Sequence, residues 1–134
     1  MSEKMPETQR ARVAQNPYQG AFKRVLCICT GGILRSPTAA WVLSNEPYNF
    51  NTRAAGIREF ALVKVDDHLI GWADQIVCME DIHADYIRQA WNHSEHYPKD
   101  ELPEILVLGI PDDYEYRNPA LVARIRRSYE KETK

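Results

Sequence analysis

Residues 25–39 read VLCICTGGILRSPTA. The opening of this stretch continues an apolar run from Phe22 to Cys29, which fits a β-strand buried on both faces, as inside a parallel sheet. Two glycines follow at 31 and 32, then Arg35 and the pair Ser36-Pro37. Proline is tolerated in the first turn of a helix, and TAAWVLS extends the helical pattern to about Ser44. A buried strand that turns through glycines straight into a helix N-terminus is the first half of a β-α-β unit.

The rest of the chain repeats that alternation. Tyr48 to Ala55 reads as a second strand, and Asp66 to Trp72 as a short helix with acidic residues in its first turn. Gln75 to Met79 reads as a third buried strand. Glu80 to about Asn92 reads as a helix with Ile82, Tyr86, Ile87 and Ala90 on its apolar side. HSEHYPKDELP (93–103) is a loop and Glu104 to Leu108 a fourth strand. Pro119 to about Glu130 is a last helix, with Leu121, Val122, Ile125 and Tyr129 toward the core. The order predicts an α/β fold of three layers: a four-stranded parallel sheet with helices on both faces. Residues 1–20 are polar and without sustained periodicity and read as an extension outside the core, in which TQRARV is too short for a stable isolated helix. The domain is expected at 21–134, with no internal repeat or low-complexity tract.

Composition narrows the function classes. A chain of 134 residues, 44% hydrophobic, builds one domain with a real core. Its 17 Lys+Arg balance 19 Asp+Glu, which argues against a general nucleic-acid surface or a polybasic membrane anchor. The three cysteines, Cys27, Cys29 and Cys78, are too few for a disulfide framework and suit a reducing compartment. No apolar stretch reaches the roughly 18–20 residues of a membrane span, and the first residues lack the apolar segment of a secretory signal. A cytoplasmic protein is expected.

Parallel α/β sheets bind ligands at the carboxyl ends of their strands, where Cys29 is expected. A glycine turn leading into a helix N-terminus points backbone N–H groups inward and adds the positive end of the helix dipole, so residues 30–34 form a natural cradle for a tetrahedral oxyanion. Arg35 supplies a planar fork that takes two phosphate oxygens. Cys29 would lie beneath the phosphorus as a thiolate, favoured by the helix N-terminus, by Arg35 and by a hydrogen bond from Ser36. The phosphate-binding candidates are Thr30, Gly31, Gly32, Ile33, Leu34 and Arg35.

VLCICTGGILRSPTA resembles the signature of the low-molecular-weight protein tyrosine phosphatase family, V-C-x-G-N-x-x-R-S-P. IPDDYEYRNP (110–119) resembles its downstream Asp-Pro-Tyr segment, with Asp112-Asp113-Tyr114 keeping the Asp-x-Tyr spacing. TRAAG (52–56) and ADQIVCME (73–80) resemble two of its strands, so the likeness covers about Arg24 to Tyr129. It is nearest to a bacterial subgroup of phosphatases, predicted from sequence, that carry LRSPTA and IPDDYEY. The resemblance implies hydrolysis of phosphate monoesters, phosphotyrosine among them, in two steps: attack by Cys29, protonation of the leaving oxygen by Asp112, then hydrolysis of the phosphocysteine. Asp113 is the alternative acid, and Tyr114 a candidate wall of the pocket. The implied partners are a phosphate monoester or phosphotyrosyl protein and inorganic phosphate or a similar oxyanion. No cofactor or metal is implied, nor a nucleic acid or membrane partner.

Three departures matter. Gly32 stands where the family has Asn, so side-chain hydrogen bonds that brace the loop are lost and a looser loop is expected. Leu34 replaces a second loop cysteine, which removes a disulfide within the loop. Asp-Asp replaces Asp-Pro, coupling two like charges at the acid. Two other readings stay open: a phosphate- or phosphoprotein-binding module with weak or no turnover, and an arsenate reductase-like enzyme, for which only Cys78 lies downstream. His93, Glu95 and His96 read as a solvated loop rather than metal ligands, and Cys78 as core.

Overall fold

The computed structural model describes residues 22–133; the expected extension and the segment TQRARV lie outside them. Among the described residues four strands alternate with four helices: β1 (Arg24–Cys29), α1 (Arg35–Leu43), β2 (Asn51–Gly56), α2 (Asp67–Trp72), β3 (Gln75–Cys78), α3 (Asp81–Asn92), β4 (Glu104–Val107) and α4 (Pro119–Thr133). A short 3-10 turn, Lys99–Glu101, interrupts the loop expected at 93–103. The strands form one parallel sheet in the order β2-β1-β3-β4. The three-layer parallel α/β fold read from the sequence is the fold observed.

The two faces of β1 explain its continuous apolar run. Val25, Cys27 and Cys29 face a layer containing Ala39, Leu43, Leu121 and Ile125 from α1 and α4. Leu26 and Ile28 face the opposite layer, with Ile70, Ala84, Ile87 and Trp91 from α2 and α3. A strand with helices on both sides has no solvent face and so needs no polar alternation.

One helix face differs in part from the sequence reading: Ile87 is buried and Tyr86 and Ala90 pack at its edge as expected, but Ile82 does not. The buried side of α3 is His83, Ala84, Ile87 and Trp91, while Ile82 is 57% exposed. Ile82 and Ala84 differ by about 200° around a helix with 3.6 residues per turn, so burying Ala84 and the large Trp91 turns Ile82 to solvent. The same rotation carries a histidine inward. In α4, Leu121, Ile125 and Tyr129 are buried as expected, with Val122 at the edge.

The connection from β1 leads to β2 on one side, and β3 returns on the other. The chain therefore reverses its winding beside the carboxyl end of β1, the point at which open α/β sheets leave a crevice. Cys29 is the last residue of β1.

Candidate active site

The turn after Cys29 is shaped by two glycines in contact. Gly32 has φ +67°, and a Cβ there would stand 2.9 Å from Gly56 N and 3.0 Å from Ala55 C. A Cβ on Gly56 would meet Gly31 C at 2.6 Å and Thr30 O at 2.7 Å. The loop thus lies flat on the end of β2, a packing open only to residues without a side chain. It is also tied there: Ile57 N–H donates to Thr30 O (3.0 Å) and Arg58 N–H to the same oxygen (3.2 Å). These contacts brace the loop at the position where Gly32 offers no side chain to do so. Backbone contact with β2 takes over the bracing.

Folding back in this way brings Gly32 N–H to Cys29 Sγ at 3.1 Å, with Ser36 Oγ also 3.1 Å from the sulfur. Ser36 Oγ is 3.3 Å from Ala55 O as well. Its single hydrogen points either to that carbonyl, accepting from a thiol, or to the sulfur, serving a thiolate. Cys29 is 3% exposed and lies in a pocket of about 250 Å³ bounded by the loop, Arg35, Phe60 and Asp112.

Arg35 opens α1 yet is only 2% exposed. Nη1 donates to Glu80 Oε1 at 2.7 Å and to Ile110 O at 2.8 Å, and Nη2 donates to Thr30 Oγ1 at 3.4 Å. With Nη1 anchored to the fold, the Nε/Nη2 edge is the one left to grip two oxygens of an anion. Asp112 Oδ1 is 3.7 Å from Nε. Asp112 lines the pocket and is exposed, whereas Asp113 is exposed and is not among the lining residues.

Tyr114, expected as a pocket wall, packs against the α1–α4 core, and its hydroxyl accepts from Arg124 Nη1 at 3.2 Å. The aromatic ring at the pocket is Phe60, 71% exposed, with Ile33 beside it at 39%. Three further residues at or behind the site were not singled out in the sequence. Phe60 falls in a loop whose course no local pattern fixes. Glu80 and His83 form E-x-x-H at a helix start, where His83 Nδ1 accepts from Glu80 N–H at 3.0 Å as the third residue does in a capping box; that spacing was the available signal. His83 Nε2 reaches Thr30 Oγ1 at 3.0 Å.

Among the described residues, one cluster has metal-ligand chemistry: Asp67, His68 and His96, with ligand atoms within 4.8 Å of one another. Asp67 Oδ2 is 2.8 Å from His96 Nδ1 and 2.7 Å from Ser94 Oγ, and His68 Nδ1 is 3.1 Å from Tyr97 OH. These contacts pin the loop after α3 to the start of α2. The other two cysteines, Cys27 and Cys78, are fully buried, and burial pushes both thiols up, Cys78 to about 12.

No family model and no curated relative matches the chain. Among solved structures, the tyrosine phosphatase Wzb of Escherichia coli in complex with phosphate superposes with a TM-score of 0.62, at 19% identity, over 82% of this chain and 95% of that one. The fold is shared with Wzb. A second structure, Vibrio vulnificus Wzb in complex with benzylphosphonate, gives a TM-score of 0.58 at 20% identity, over 84% of this chain and 95% of that one. Nearly the whole of each Wzb chain is matched, and the architecture alone is what this degree of identity establishes.

Proposed function

We propose that this protein is a cysteine-dependent phosphatase of the low-molecular-weight tyrosine phosphatase type, acting on phosphate monoesters and on phosphotyrosine in particular. The observation that carries the reading is Cys29 Sγ at a pocket floor, contacted at 3.1 Å by both Gly32 N–H and Ser36 Oγ, with the buried Arg35 adjoining it. Two groups able to donate to one sulfur suit a thiolate, which only accepts. The fold shared with a tyrosine phosphatase crystallised with phosphate supports the same reading, as do the LRSPTA and IPDDYEY segments.

In the first step Cys29 Sγ attacks phosphorus, the bond from phosphorus to the ester oxygen breaks, and Asp112 gives its proton to that oxygen. In the second, water attacks phosphorus, its proton passes to Asp112, the P–S bond breaks and inorganic phosphate leaves. The Nε/Nη2 edge of Arg35 and the loop N–H groups hold the non-bridging oxygens, whose charge is greatest in the transition states. Asp112 is favoured over Asp113 because it lines the pocket. Phe60 and Ile33 offer an apolar flank to an aryl leaving group. A benzyl phosphonate held by the Vibrio vulnificus relative agrees with aryl selectivity.

Arsenate reduction needs a second thiol to resolve the cysteine adduct, and Cys27 and Cys78 are enclosed in strands with no exposed surface. Among the described residues no helix is long and apolar enough to cross a membrane; a cytoplasmic site of action is part of this proposal. The test is release of para-nitrophenol from its phosphate by the intact protein and by Cys29→Ser. Turnover by the first alone supports the reading. Binding of inorganic phosphate without turnover would make the protein a phosphate-binding module instead.

A further inference from the structure

His83 is a buried titratable group beside the pocket for which the proposed reaction has no role. It has no exposed surface, it lies on α3, and it reaches across to the loop after β1. Its Nδ1 accepts from Glu80 N–H at 3.0 Å, so that nitrogen carries no proton and the ring hydrogen sits on Nε2. Nε2–H therefore donates to Thr30 Oγ1, 3.0 Å away. Arg35 Nη2 donates to the same oxygen at 3.4 Å.

A hydroxyl has two lone pairs and one hydrogen. With two donors on its lone pairs, the Thr30 hydroxyl has only its hydrogen left to offer, and Thr30 lines the pocket above Cys29. Left unconstrained, a threonine hydroxyl presents either a hydrogen or a lone pair, and a lone pair repels an anion. We propose that His83 is a positioning residue for the oxyanion site: its Nε2–H fixes the Thr30 hydroxyl as a hydrogen-bond donor to the bound phosphoryl group. This rests on the phosphatase reading above and extends it to a residue that does not itself touch substrate.

The arrangement holds only for neutral imidazole, because a protonated Nδ1 would confront the Glu80 N–H. Burial first, and Arg35 second, bring His83 down to about 4, against weaker opposing pulls from Glu80 and Asp112. Glutamine can replace the ring, since its amide oxygen and nitrogen are spaced like Nδ1 and Nε2.

The experiment measures inorganic phosphate affinity by calorimetry at pH 7 alongside the His83 ring 15N shifts. Thr30→Val and His83→Leu are expected to weaken phosphate binding about tenfold, the scale of one hydrogen bond to a charged group. The double variant is expected to lose no more than the larger single loss, while Thr30→Ser and His83→Gln stay within about threefold of the unaltered protein. The 15N shifts are expected to report neutral Nε2–H. An Nδ1–H or imidazolium ring at pH 7 overturns the proposal. So does a Thr30→Val protein that melts earlier yet binds phosphate with unchanged affinity, which would leave the pair a structural role only. If His83→Leu fails to fold, Thr30→Val and His83→Gln decide. In both overturning cases the unaltered protein still turns over aryl phosphate; an unaltered protein that neither binds phosphate nor turns over defeats the phosphatase reading and this proposal together.

Discussion

The floor of the pocket and its rim are built in opposite ways. On the floor, Cys29 and Arg35 are 3% and 2% exposed, and each is held by several partners from other elements. At the rim, Asp112 has 64% of its side chain exposed, with a single 3.7 Å approach to Arg35, and Phe60 stands 71% exposed. On the phosphatase reading proposed above, parts that meet the same phosphoryl group every time can be fixed by the fold at no loss of generality. Parts that meet a varying leaving group sit where the chain can adjust.

If that division is right, floor substitutions should remove the chemistry and rim substitutions should tune it. Cys29→Ser is expected to lower aryl phosphate turnover by at least about 10³-fold in steady-state assays, as loss of a nucleophile does. Next comes Arg35→Lys, which loses the two-oxygen grip and leaves Glu80 and Ile110 O without their partner; kcat should fall roughly 10²-fold or more, with weaker phosphate binding. Asp112→Asn should lower kcat by about 10²-fold for esters of poor leaving groups and less for good ones, while Asp113→Asn changes it less than about threefold. Equal effects of the two would erase the contrast between a lining and a non-lining carboxylate.

Two glycines offer a sharper contrast within the backbone. Gly32 and Gly109 have nearly the same φ, +67° and +70°, but a Cβ on Gly109 meets nothing within 4 Å. Gly109→Ala should therefore cost only the left-handed backbone strain, about 1 kcal/mol. Gly32→Ala adds a collision with β2 and should cost about 2–4 kcal/mol in denaturant titration.

A further expected effect is on pH dependence. His83 is brought from the ordinary 6.5 to about 4 by burial and by Arg35. Between those values the unfolded chain binds a proton that the folded one refuses, so stability falls as pH drops through that window. His96, raised by Asp67, works the other way: its contribution is present below 6.5 and lost as pH rises through its folded value. The comparison of the unaltered protein with His83→Gln isolates the first. The glutamine variant should lose less stability from pH 6.5 to 4, by on the order of 1–3 kcal/mol. Parallel curves would mean that His83 accepts its proton freely.

The same contrast explains what could be read in the sequence. The strand β1, the glycine turn and the start of α1 are contiguous, so local pattern carried Cys29, the loop and Arg35 together. The parallel sheet and its layers followed from the alternation of strands and helices, whereas the order β2-β1-β3-β4 did not. What escaped lies where distant segments meet. Glu80 and His83 belong to the site because α3 starts beside the loop, and the rotation of α3 that buries Trp91 also buries His83; of the apolar residues read on that helix, Ile87 is buried and Tyr86 and Ala90 pack against the core, while Ile82 turns to solvent. Phe60 rather than Tyr114 is the aromatic ring at the pocket; both occupy loops, where the spacing of a tyrosine from an aspartate says nothing of which way its ring turns. Loss of the loop Asn suggested a weaker brace, and the brace came from the backbone of Gly56 to Arg58, which no side-chain motif records.

The claim on which the rest depends is that Cys29 carries the phosphoryl group. The direct measurement is mass spectrometry of Asp112→Asn protein, quenched in acid during turnover of an aryl phosphate and digested. The account predicts one phosphoryl group on the peptide containing Cys29, absent after Cys29→Ser. An unmodified peptide in a protein that turns over while Cys29→Ser retains its rate would contradict it.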